Sequence, residues 1–153
     1  MIIEIDGWER NIRFSAAHFI SHHRRCSRIH GHDYVISARI HGDKVDGMVV
    51  DFGDVKRILK EIADCIDHKL IVSERFVKFS DDKAIIEYPL AKIEISRDSV
   101  YVIPYEEATA ENIAEHICDI FAEKLRDYEN INMVEIKVEE GHGQGAWASR
   151  ILR

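Results

Sequence analysis

The spacing of apolar residues along this chain changes character at Asp54, and that change limits the folds open to it. Before it, Trp8, Ile12, Phe14, Ala16 and His18 share one parity. Further on, Tyr34, Ile36, Ala38 and Ile40 share another, with Ser37, Arg39 and His41 among the residues opposite. A period of two belongs to half-buried strands, whose successive side chains point to opposite faces. Strands are therefore expected over Trp8–Phe19, entered from the turn Asp6-Gly7, and over Gly31–His41, closed by Gly42-Asp43 and Asp46-Gly47. From Asp54 the period becomes helical: Val55, Ile58, Leu59, Ile62 and Ile66 fall on one face, with Asp54 able to cap it. A second helix is expected from about Thr109, with Ile113, Ile117, Ile120, Phe121 and Leu125 along its stripe. Between the helices lie short β-like runs at Ala84–Tyr88, Lys92–Ser96 and Ser99–Ile103, punctuated by Pro89 and Pro104. Met133–Glu140 and Ala146–Leu152 read as a last pair of strands around Gly141-His142-Gly143-Gln144-Gly145. The order β-β-α-(β insert)-α-β-β predicts an α+β domain, an antiparallel sheet covered by helices on one face.

The length, 153 residues, suits one domain over 1–153, and an apolar fraction of 46% supplies a core. No apolar run approaches the roughly 18 residues of a membrane span. The first residues carry Glu4 and Asp6 where a secretory signal would carry Lys or Arg, so a cytoplasmic location is the expectation. The net charge is −7 with the basic residues scattered, which disfavours nucleic acid as a partner. The densest basic stretch, His22-His23-Arg24-Arg25-Cys26-Ser27-Arg28, reads either as a lining for a small anion or as a solvated loop. Of three cysteines, Cys65 and Cys118 fall in helical apolar patterns and read as packing residues, whereas Cys26 falls in a polar loop.

His30-Gly31-His32 is the most informative tripeptide. Residues two apart on a strand share a face, so both imidazoles can converge on one ion, and Gly31 keeps the opposite face open. His18 ends the preceding strand. If the two strands pair antiparallel, it comes beside His30 and His32. Three neutral imidazoles with an open fourth position is the arrangement of catalytic zinc, whereas closed structural sites favour four ligands, often thiolates. Cys26 lies four residues before His30 and could complete the coordination or act as a base or nucleophile. Asp67-His68 follows the first helix: it could be an acid orienting a histidine for proton transfer, or an ordinary helix terminus with a cation at its negative end.

Taken together, Phe14-Ser15-Ala16-Ala17-His18, Cys26-Ser27-Arg28-Ile29-His30-Gly31-His32, Val50-Asp51-Phe52, Asp67-His68, Thr109-Ala110-Glu111-Asn112 and Ile136-Lys137-Val138-Glu139-Glu140 resemble the 6-pyruvoyl-tetrahydropterin and 6-carboxy-tetrahydropterin synthase family. These motifs span most of the chain in that family's order. The resemblance implies a tunnelling fold, in which two antiparallel hairpins flank a helical pair, trimers close a barrel, and two trimers stack into a homohexamer with active sites where subunits meet. It implies Zn2+ on His18, His30 and His32, Cys26 as catalytic thiol, and Asp67 with His68 as proton-relay partners from a neighbouring subunit. Thr109 and Glu140 match positions that hold the pterin ring. Glu139 is a rival, and parity favours Glu140, which shares a face with Val134, Ile136 and Val138. A carboxylate can accept two parallel hydrogen bonds from a pterin's amino-pyrimidinone edge.

The implied substrate is 7,8-dihydroneopterin triphosphate, a small molecule, acted on by a zinc-dependent lyase. One outcome is 6-pyruvoyl-tetrahydropterin. The other breaks a carbon–carbon bond and releases acetaldehyde and 6-carboxytetrahydropterin, the precursor of deazaguanine nucleosides. The Cys-Ser-Arg-Ile-His-Gly-His run is closest to the second, and Ser27 argues against the variant that places a glutamate beside the thiol. A non-catalytic pterin- or zinc-binding paralogue would have lost Cys26, Asp67 or His68, and a zinc hydrolase would need no thiol. The segment from about Ile71 to Pro104 exceeds the family's short connection and reads as an added hairpin outside the barrel.

Overall fold

The thirteen-residue strand β3, His30–Gly42, is the spine on which the rest of the computed structural model, covering residues 1–153, is assembled. Along one edge it pairs antiparallel first with β2 (Arg13–His18) and then with β1 (Ile2–Ile5). Along the other edge it pairs with β9 (Ile131–Gly141), which forms a hairpin with β10 (Gln144–Ile151). Beyond β2 the sheet continues in parallel through β4 (Lys69–Ser73) to β8 (Val100–Ile103), so the main sheet is mixed.

Alternation decides which face is buried. Phe14 and Ala16 of β2, Tyr34, Ile36, Ala38 and Ile40 of β3, and Val134, Ile136 and Val138 of β9 all point to one side and are buried there. Two helices cover that side. Helix α1 (Phe52–Ile66) applies Val55, Ile58, Leu59, Ile62, Ala63 and Ile66; α2 (Ala110–Lys124) applies Ile113, Ala114, Ile117, Cys118 and Phe121. These residues belong to one cluster of 30, and truncating a fully buried member such as Leu59 to Ala should cost about 2–5 kcal/mol. Helix α1 starts earlier than its apolar period suggests: Asp51, not Asp54, is the cap, accepting from the Gly53 N–H at 2.6 Å. Cys65 departs from expectation. It is exposed, because position 65 falls off the α1 stripe, while Cys118 is buried as expected.

The added segment is smaller and differently built than a hairpin over 71–104. Its first and last residues belong to the main sheet through β4 and β8. What is inserted is a separate three-stranded antiparallel sheet, β5 (Val77–Ser80), β6 (Lys83–Tyr88) and β7 (Ala91–Ser96). Ala84, Ile86 and Tyr88 of β6 close a second small core with Phe19, Leu70, Val72 and Val100. No helix is long and apolar enough to cross a membrane.

Candidate metal centre

The buried stripe of the sheet runs on past Phe14 and Tyr34, whose rings stack at 4.9 Å, and becomes polar. The next residues in phase are His18 on β2 and His32 and His30 on β3. His18 stands opposite His30, and Ala16 opposite His32. Gly31 between them lies where an added Cβ would come within 2.9 Å of the Ala16 carbonyl oxygen. The tripeptide therefore needs glycine for close strand approach rather than for an open face. One ligand atom from each of the three imidazoles lies within 4.8 Å of the others, so they could hold a metal ion.

Hydrogen bonding fixes the tautomers. His18 Nδ1 sits 2.6 Å from the Ala108 carbonyl oxygen and His30 Nδ1 2.8 Å from that of Arg28. A carbonyl only accepts, so both Nδ1 atoms carry the hydrogen and both Nε2 atoms present a lone pair. Those two Nε2 atoms are 3.0 Å apart. Two bare lone pairs at that separation repel unless a cation lies between them, and tetrahedral zinc with Zn–N bonds of ~2.0–2.1 Å would set neighbouring nitrogens ~3.3 Å apart. His18 is 1% exposed, and burial pushes its imidazole down to about 4, against the Ala108 hydrogen bond and helped by His30 and His32. It is thus neutral at neutral pH, as a ligand must be. The donor set fits a borderline-soft divalent ion.

Glu140 arrives on β9 by the same parity. It follows Val134, Ile136 and Val138 and places Oε1 3.8 Å from His18 Nε2 and 4.0 Å from His32 Nε2. Glu139 points to the other face, where it accepts from Trp8 Nε1 at 3.0 Å and pairs with Lys137. Cys26 lies in the loop between β2 and β3 and lines a cleft of about 730 Å³ together with the three histidines, Glu140 and Gln144. Arg25 and Arg28 line the same cleft, so the basic loop faces it in part. Thr109 caps α2, accepting from the Asn112 N–H at 3.3 Å, and lines an adjoining cleft of about 410 Å³ that also contains Glu140 and Gln144.

Asp67 and His68 lie elsewhere in the chain. Asp67 caps the C-terminus of α1, and His68 follows with φ of 59°, a left-handed conformation that costs a non-glycine residue of order 1 kcal/mol. Two bonds to one residue of β2 hold it: the Ser15 N–H donates to Asp67 Oδ1 at 2.8 Å, and the His68 N–H donates to the Ser15 carbonyl at 2.7 Å. His68 Nδ1 in turn donates to Asp67 Oδ2 at 2.7 Å. The Ser15 N–H, then His68, hold the Asp67 carboxyl below the usual carboxylate range against a contrary effect of burial. The His68 ring borders a separate depression, which shares only His32 with the Cys26 cleft.

Sequence reasoning missed three groups here. Gln144 borders both clefts from the bulged start of β10, and only its place in a glycine-rich hairpin tip marked it. Tyr34 is fully buried under His18 and His32 with its hydroxyl unpaired, and burial, then Glu140, raise its phenol far above the ordinary range. Glu107, also buried, accepts from the Ser21 N–H at 2.9 Å and pairs with Arg75 and His22. No periodicity announces a buried acid in the connection before α2.

The sequence model of a family described as 6-pyruvoyl tetrahydropterin synthase matches residues 8–150. A Rickettsia typhi protein named 6-carboxy-5,6,7,8-tetrahydropterin synthase is 37% identical over 86% of this chain and 91% of its own. A Methanocaldococcus jannaschii protein, whose name gives that activity provisionally, is 33% identical over 99% of this chain and 98% of its own. Among solved structures, Plasmodium vivax 6-pyruvoyl tetrahydropterin synthase superposes with a TM-score of 0.85 at 24% identity, covering 99% of both chains, a likeness of fold.

Proposed function

Because this chain belongs to the 6-pyruvoyl tetrahydropterin synthase family, we propose that it is a zinc-dependent 6-carboxy-5,6,7,8-tetrahydropterin synthase. It would convert 7,8-dihydroneopterin triphosphate to 6-carboxytetrahydropterin, acetaldehyde and triphosphate, supplying deazaguanine synthesis in the cytoplasm. The observation that carries this reading is the convergence of His18, His30 and His32 in one cleft with Cys26. The similarity to proteins named for the carboxy product supports that outcome over 6-pyruvoyl-tetrahydropterin.

Each residue then has a task. His18, His30 and His32 would hold the ion, and the chemistry it would supply there is Lewis-acid polarisation of the substrate's side chain. Glu140, beside the histidines, accepts the amino-pyrimidinone edge of the pterin, and Thr109 borders the adjoining cleft that receives the ring. Cys26 as thiolate removes the side-chain proton, a transfer worth about 10²–10⁴-fold. Arg25 and Arg28, on the cleft wall, face the anionic triphosphate. His68, oriented by Asp67, returns a proton. Since that pair borders a separate depression of its own chain, it serves the thiol of a neighbouring subunit, in keeping with a homohexamer of stacked trimers.

The test is to incubate purified, zinc-loaded protein with dihydroneopterin triphosphate and assay acetaldehyde and 6-carboxytetrahydropterin. Both should form in equal amounts. Formation of the pyruvoyl product without acetaldehyde would move the assignment to triphosphate elimination. Turnover that survives Cys26→Ala would point to hydrolysis by a metal-bound hydroxide.

A further inference from the structure

The loop that carries Cys26 spans residues 19–29, between the paired strands β2 and β3. Inside the loop, backbone bonds join Ile20 N–H to the Cys26 carbonyl at 2.7 Å and Ser27 N–H to the His23 carbonyl at 3.1 Å. These close the loop on itself but do not attach it to the rest of the fold. The attachments come from the inserted segment, from the short turn just before it, and from Glu107 ahead of α2. Tyr88, at the end of β6, stacks its ring on Phe19 with centroids 3.9 Å apart and planes 15° from parallel. Its hydroxyl donates to the Ser27 carbonyl at 3.0 Å, on the residue next to Cys26. Phe76 packs against Phe19 at 5.7 Å and lies 6.4 Å from the Tyr88 ring. Neighbouring Arg75 pairs with the buried carboxylate of Glu107, which accepts the Ser21 N–H.

We infer that the three-stranded insert is a clamp for the thiol loop, with Tyr88 the positioning residue that sets where the Cys26 sulfur sits in the cleft. The inference rests on the function proposed above, and it gives the insert a role in that same site. The geometry has a reason behind it. A loop of eleven residues holding a reactive group needs anchors at both ends to keep that group near its productive position, because side chains on loops are placed less sharply than those on strands. Phe19 and Ser21 anchor one end; Ser27 anchors the other. At the end that bears the thiol, the Tyr88 hydroxyl holds Ser27 while His30 Nδ1 donates to the neighbouring Arg28 carbonyl at 2.8 Å, and at the other end the Tyr88 ring is the nearest aromatic contact of Phe19. The side chain thus spans the loop's mouth. Proper placement of a reacting group can be worth orders of magnitude in rate, so a clamp of this kind acts on turnover rather than on substrate binding.

The decisive variant is Tyr88→Phe, which keeps the stacked ring and deletes only the bond to Ser27. In the zinc-loaded protein, hydrogen exchange at the Ile20 and Ser27 amides should quicken about tenfold or more, with β3 and β9 unchanged. The turnover number should fall about tenfold, with KM and zinc content as in the wild type. Exchange identical to wild type would overturn the clamp. Faster exchange with an unaltered turnover number would overturn Tyr88 as a positioning residue. If the wild type converts no dihydroneopterin triphosphate, it is the functional reading that falls, and quickened exchange would still uphold the clamp. Arg75→Gln gives a second measurement at the other anchor, where exchange should quicken at Ser21 and leave Ser27 unchanged.

Discussion

Two corners of this molecule present a histidine beside a carboxylate, and they are built in opposite ways. At the open end of the sheet, His18 is 1% exposed and is stripped of water by the strands around it, with Glu140 3.8 Å away. At the end of α1, His68 is 83% exposed and rests on Asp67 at the rim of a different depression. The first corner is complete within one chain: three imidazoles, a thiol and an acid share a cleft. The second has the acid and the histidine but nothing for them to act upon. A histidine held through Ser15 in a costly left-handed conformation, yet turned outward, supports the proposal above that this pair completes a neighbouring subunit's site.

The largest effect should come from the enclosed corner. His32→Ala removes one of the three proposed ligands, and two imidazoles are a poor site, so the purified variant should bind no metal. Its turnover should fall about 10⁴-fold or more, at or above the limit of a single proton-transfer group. Metal analysis beside a steady-state assay checks this; a variant that keeps a full complement of zinc would remove His32 from the ligand set. Next in size, Cys26→Ala should cost about 10³-fold while metal content stays whole. Loss of metal in that variant would recast Cys26 as a fourth ligand.

The sharpest test of the comparison itself is complementation. Cys26→Ala and His68→Ala proteins should each be nearly inactive alone. Unfolded together and refolded at equal amounts, they should regain about a quarter of wild-type activity, because random assembly gives that share of interfaces with both an intact thiol and an intact histidine. No recovery, in mixed oligomers shown to form, would place the two groups in one and the same chain's site and erase the contrast.

The enclosed corner was the more legible in sequence, and parity explains it. His18, His30, His32 and Glu140 continue the alternation that buries Phe14, Tyr34 and Val138, so one pattern carried both the core and the cleft. The choice of Glu140 over Glu139 follows from the same count, and the structure sends Glu139 to Trp8 on the opposite face. What escaped notice lacks a period. Lys69–Ser73 is nearly continuous in apolar residues because its strand is covered on both faces, and without alternation nothing in the sequence separates this parallel strand of the main sheet from the connection that follows it. Ile2–Ile5 is only four residues long and pairs with the far half of β3. The exposed corner shows only as an Asp-His dipeptide. Its backbone geometry depends on Ser15, a residue 52 positions away from Asp67, which no local pattern reveals.

The smallest expected effect separates what Asp67 does for the fold from what it does for chemistry. Its carboxyl is held below the ordinary range chiefly by the Ser15 N–H and then by His68. A lowered folded-state pKa means that the ionised form is favoured by folding. The resulting stability is present in full above the unfolded carboxylate value of about 3.9 and is lost as the pH falls through the lower folded value. The side chain is 37% exposed, so solvent screens the interaction and the contribution should be under ~1 kcal/mol. Asp67→Asn keeps the shape and an acceptor for Ser15 but not the charge. Its urea midpoint should sit slightly below wild type at pH 7, and the gap should close as both proteins are taken into acid. A gap that persists unchanged in acid would mean that the ionised carboxylate is not what fixes this corner. If the gap closes while turnover at pH 7 has dropped far more than so small a stability change allows, then the Asp67–His68 pair is spending its order on a reaction rather than on the fold, as the outward face of a shared site requires.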